Sequence, residues 1–130
     1  MSDIVAHMMG DYVLQTDHMA QTKTGNTKTA LAHGIVYALP FLAITRNLKS
    51  LAVIAGTHAL IDRYRLARYV VWAKNQLAPK DFRYPLSEAG PTGYGLHRDP
   101  TLSVVLMIAA DNSLHLAINR LALSWSRRKR

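Results

Sequence analysis

The chain has 130 residues, with 16 Lys and Arg against 8 Asp and Glu and a formal net charge of +8, a length that sets the expectation of one domain. Almost half of it is apolar (49%) and only 18% is charged, which excludes a disordered basic tail. The absence of cysteine removes disulfides, thiol nucleophiles and Cys-ligated zinc, so any metal must be held by His and carboxylates.

The opening MSDIVAHMMGDYVLQ carries Asp3, His7 and Asp11 where a signal peptide would be uninterrupted apolar residues, so no cleavable leader is expected. A first helix is predicted over Ile4 to Ala20, followed by a turn-rich connection at Gln21 to Lys28. Ala30 to Thr45 has no charge and reads as a second helix kinked at Pro40. A third helix runs from Leu48 to Gln76, apolar at first and then basic and aromatic, as expected of a helix leaving an apolar environment through an interface. Residues 77–100, rich in Pro and Gly, form an irregular loop, ordered or re-entrant. Thr101 to Trp125 is the last apolar helix, and the basic run Arg127 to Arg130 after it reads as a cytoplasmic stop signal.

A soluble bundle requires one apolar stripe and one charged face on each helix. The second and fourth helices lack the charged face, although the mean hydropathy is zero and no apolar run is clean enough to identify a span by itself. The expected fold is an all-α bundle of about four helices, transmembrane, over residues 1–126. The basic tail is 127–130. With four crossings, both termini and the Arg46 to Lys49 turn would be cytoplasmic.

His7 and Asp11, His58 and Asp62, and Asp111 and His115 are each four residues apart, so each pair shares one helix face. Random placement predicts fewer than one such pair. On a helical wheel Ile4, His7, Asp11, Leu14 and His18 align, as do His58, Asp62, Arg65 and Tyr69. Helix two adds His33 and Tyr37, and helix four aligns Val104, Met107, Asp111, His115 and Ile118. An imidazole and a carboxylate one turn apart can bind the same ion, or one can orient the other. His7, Asp11, His33, His58, Asp62, Asp111 and His115 are therefore the candidate ligands for one or two divalent ions, with Zn, Mn or Fe suited to nitrogen and oxygen donors. Buried His–Asp hydrogen bonds that only hold helices in register are the alternative. A ferritin-like di-iron site is disfavoured, because it draws on several Glu and the chain has only Glu88. Arg63, Arg65 and Arg68 are read as snorkelling side chains, except that Arg65, on the ligand face, can receive an anionic group such as phosphate.

The segments HMMGDYVLQ (His7 to Gln15), His33, HALID (His58 to Asp62) and DNSLH (Asp111 to His115) resemble, in order, the motifs HxxGDxxLQ, HxxID and DNxxH of a bacterial and phage membrane family, domain of unknown function 3307. More loosely, the chain is similar to inner-membrane metal-dependent hydrolases with His- and Asp-bearing spans. That second likeness implies hydrolysis of a lipid or phosphoester, with water on the metal as nucleophile, Asp11 or Asp62 as base and Arg65 as anion clamp. The expected setting is the bacterial inner membrane, multi-pass. The bilayer and anionic headgroups would be the partners, with a homo-oligomer admissible and nucleic acid not expected, since charge alone would support it. The competing reading is a non-catalytic, phage-type membrane protein whose polar core serves assembly.

Overall fold

The computed structural model describes residues 1–127, so residues 128–130 of the expected basic tail lie outside the described residues. The described residues form six α-helices and no named strand: α1 (Asp3–Met8), α2 (Asp17–Thr22), α3 (Thr27–Ala38), α4 (Leu48–Tyr64), α5 (Leu66–Asn75) and α6 (Pro100–Arg127). The all-α expectation holds. The expected count of four does not, because the first and third helices are each broken.

The first break follows α1, whose start is capped by Ser2 Oγ accepting from the Val5 amide. Met9–Val13 then widen into a π turn, and Gly10 within it is pressed against α3: a Cβ there would lie 2.7 Å from the Tyr37 carbonyl oxygen. Thr16 leaves the helix to cap α2, its Oγ1 accepting from the Met19 amide at 3.2 Å. The second break is at Arg65, whose φ of +52° separates α4 from α5. Asn26 and Asn47 cap α3 and α4 through their side-chain carbonyls. At Pro40 the chain does not kink and continue; α3 ends at Ala38 in a 3-10 turn over Leu39–Ala43, because proline cannot supply the helical N–H.

The chain folds as two compact units. One contains Met1–Tyr64 and α6 from His115 onward. Its apolar core is small: Ala6, Tyr37, Ala38, Phe41, Ile54, Ala122 and Leu123. Gly34 brings α3 close to α4, a Cβ there falling 2.5 Å from the Ala55 carbonyl oxygen, and Ser50 Oγ donates to the Ala122 carbonyl at 2.7 Å to tie α4 to α6. The other unit is Arg65–Leu114. Here the loop before α6 is ordered: Trp72 Nε1 and Gln76 Nε2 donate to the Tyr84 carbonyl, and the Tyr84 hydroxyl donates to the Gly93 carbonyl at 2.9 Å.

Among the described residues α6 alone is long and apolar enough to cross a membrane, over Pro100–Ser126. The other helices have 17 residues or fewer, below the roughly 20 that a crossing takes, so the expected four crossings are not matched by four spanning helices. Histidines share the interior with the apolar core, while many large apolar side chains lie at the surface. In the first unit His7, His33, His58 and His115 are buried, whereas Ile4, Met8, Leu31, Ile35, Leu39 and Leu42 are exposed.

Candidate metal centre

Three elements of the first unit converge on one point. The π turn supplies Asp11, α3 supplies His33, and α4 supplies His58 and Asp62 one turn apart. His33 Nε2 and His58 Nε2 are 2.9 Å from each other, and both lie 3.3 Å from Asp11 Oδ1. Asp62 Oδ2 closes the figure at 3.4 Å from His33 Nε2 and 3.1 Å from His58 Nε2. All four residues are buried, and one donor atom from each lies within 4.8 Å of the others.

These separations fit a metal ion. Four donors placed tetrahedrally at 2.0–2.2 Å from a zinc-like ion stand roughly 3.3–3.6 Å from one another, close to the separations of 2.9–3.4 Å that the two imidazoles make with each other and with the carboxylates. Two imidazole nitrogens facing each other at 2.9 Å can share only one proton. Asp62 Oδ2 is buried and accepts no aligned hydrogen bond. Its 2.8 Å approach to Lys23 Nζ is therefore an ion pair off the hydrogen-bond direction, which leaves a lone pair for an ion. His33 Nδ1 is likewise buried without a hydrogen bond among the described residues, so His33 is oriented by what its Nε2 binds.

A second set of side chains holds the ligands in place. Tyr37 stacks on the His58 ring, with centroids 3.6 Å apart and planes 11° apart. Its hydroxyl meets His7 Nδ1 at 2.7 Å and accepts from Asn119 Nδ2 at 2.5 Å. His58 Nδ1 lies 3.2 Å from His115 Nδ1, and His115 Nε2 lies 3.7 Å from Asp62 Oδ1. Were an ion held on His58 Nε2, His58 Nδ1–H would be left to donate to His115 Nδ1, with the His115 Nε2 edge facing Asp62 beyond hydrogen-bond distance.

Of the seven ligands expected, Asp11, His33, His58 and Asp62 form the converging set, and His115 stands behind His58. His7 reaches Tyr37 and lies 3.8 Å from Asp11 Oδ2; Asp11, not His7, is the member of that pair that meets His33 and His58. Asp111 lies one turn before His115 on α6, half-buried, in the second unit. His18 and Tyr69 were placed on the ligand face by the wheel and are exposed. Arg65 is exposed too, and it has left the helix that carries His58 and Asp62, so the helical phase that aligned it with them does not apply. Two participants escaped the sequence. Asn119 is four residues from His115 and hence on its face, a readable signal. Lys23, in the segment read as a turn-rich connection, carries none.

A family model described as a protein of unknown function, DUF3307, matches residues 1–84. The chain belongs to this family. The match takes in all four converging residues, whereas Asp111 and His115 of the expected DUF3307 pattern lie beyond it. No curated protein and no solved structure matches the chain.

Proposed function

We propose that this DUF3307 protein is a small membrane-embedded metalloprotein and a metal-dependent hydrolase of a lipid or phosphoester. The observation that carries the reading is the convergence of two imidazole nitrogens and two carboxylate oxygens, buried together inside a unit that also exposes many large apolar side chains, among them Ile4, Leu31, Ile35 and Leu39. Ionisable groups inside an apolar exterior mark functional centres in membranes, where each is costly unless paired. A divalent ion held there, Zn, Mn or Fe by its donors, would supply Lewis acidity to a phosphoryl or carbonyl oxygen.

The protein's own groups would do the rest. The imidazoles are 0–2% exposed while the Asp11 and Asp62 side chains retain 9% and 7%, so the carboxylate edge is the less enclosed side. Substrate would enter there, and a carboxylate oxygen not used for coordination would take a proton from the attacking water. Arg65 is exposed and its side chain makes no hydrogen bond or ion pair among the described residues, so its guanidinium is free to bind an anionic group. The basic run Arg127 to Arg130 favours a cytoplasmic C-terminus in a bacterial inner membrane, against anionic headgroups.

One observation favours a non-catalytic reading: Lys23 Nζ, 2.8 Å from Asp62 Oδ2, supplies positive charge without a metal. Elemental analysis of detergent-purified protein separates the two. A stoichiometric divalent metal is expected, falling about tenfold or more in His58→Ala and Asp62→Asn; the same metal content in wild type and both variants would overturn the site. Hydrolysis of a phosphoester that is lost on chelation and restored by metal tests the enzyme assignment.

A further inference from the structure

Lys23 follows the last turn of α2, its backbone N–H bonded to the Met19 carbonyl, and its side chain reaches into the His/Asp cluster. Its Nζ lies 2.8 Å from Asp62 Oδ2, 3.3 Å from His33 Nε2 and 4.0 Å from Asp11 Oδ1. These are three of the four donor atoms assigned to the metal. The side chain is 16% exposed, the most open of the group, so it enters from the rim.

We propose that the Lys23 ammonium is a counter-cation built into the centre, and that a divalent ion and this ammonium exclude each other. Metal loading then expels the Lys23 side chain. The inference rests on the metal reading above. An ion bonded to Asp62 Oδ2 at about 2.2 Å would stand at most about 5 Å from Nζ in its present position. Two cations that close, in a buried setting with little water to screen them, repel strongly. Two carboxylates are matched in charge by one divalent ion, whereas a single ammonium compensates only one of them. The four-carbon stem of lysine, anchored at a helix end and open to the rim, allows the withdrawal. In the metal-free protein the ammonium keeps the carboxylates from facing each other uncompensated. The apparent metal affinity is thus lowered by the fraction of molecules whose Lys23 occupies the cluster.

The test is a titration of the detergent-solubilised full chain with Co2+, whose visible absorption reports a tetrahedral nitrogen and oxygen site. Lys23→Met, similar in length but uncharged, is expected to bind Co2+ about tenfold or more tightly than wild type, and Lys23→Arg no more tightly than wild type. Equal affinity in wild type and Lys23→Met would overturn the exclusion and leave the metal site standing. Absence of Co2+ binding in every form would overturn the metal reading, and this inference with it. Wild type alone gives a second measurement, independent of how the variants fold. Acylation of Lys23 by an amine-reactive reagent, mapped by mass spectrometry, should rise several-fold on Co2+ loading, and an unchanged extent of labelling would refute the expulsion.

Discussion

Tyr37 shows how single side chains hold this centre together. It is fully buried, stacks on one ligand and bonds His7 and Asn119 through its hydroxyl. Tyr37→Phe keeps the ring and removes the hydroxyl, so the Asn119 amide, 1% exposed, loses its acceptor. A destabilisation of about 1–3 kcal/mol is expected, measured by thermal unfolding in detergent, with metal content intact because no ligand atom moves. Tyr37→Leu removes the stacking surface as well and should lower metal content along with stability. Loss of metal in Tyr37→Phe would mean that the hydroxyl, and not the ring, positions His58.

At the scale of the elements, the lesson concerns where helices stop. The four-residue spacings made His58 with Asp62 legible from the sequence, because α4 runs unbroken through both. The same logic placed Arg65 on that face and failed, because the helix breaks at a residue that carries no breaker chemistry. A non-glycine residue at φ +52° costs roughly 1–2 kcal/mol, and only tertiary packing can impose it. Likewise Gly10, in the π turn that carries Asp11, packs against Tyr37, a long-range contact with no local signature. Arg65→Gly should therefore leave stability unchanged or raise it by up to about 1 kcal/mol. If its guanidinium clamps the substrate, activity should fall while metal content holds. Gly34 works in the opposite sense. A Cβ at that position would meet the Ala55 carbonyl at 2.5 Å, so Gly34→Ala should push α3 from α4, cost about 1–3 kcal/mol and weaken metal binding by parting His33 from His58. A variant with wild-type stability and metal affinity would show that this approach is not what sets the ligand spacing.

For the whole molecule, the large apolar side chains exposed around a buried His/Asp cluster carry the membrane proposal further than helix length does. Among the described residues only α6 has the length and hydropathy of a span. Yet α3 turns Leu31 and Ile35 outward while it buries His33, and Ile35 is 62% exposed. In water, Ile35→Asp would exchange one exposed side chain for another and change stability by no more than about 0.5 kcal/mol. In a hydrocarbon environment a carboxylate there costs about 2.5–3.5 kcal/mol, and unlike lysine it has no long stem with which to reach the interface. Ile35→Asp should therefore reduce the membrane-integrated yield markedly, read as the fraction that resists alkaline carbonate extraction, whereas Lys49→Ala, at an exposed site in the first turn of α4, should not. Wild type released by carbonate, or an Ile35→Asp variant that accumulates as soluble folded protein, would place this face against water or another protein surface. The buried His and Asp residues would then be the centre of a soluble metal-binding bundle.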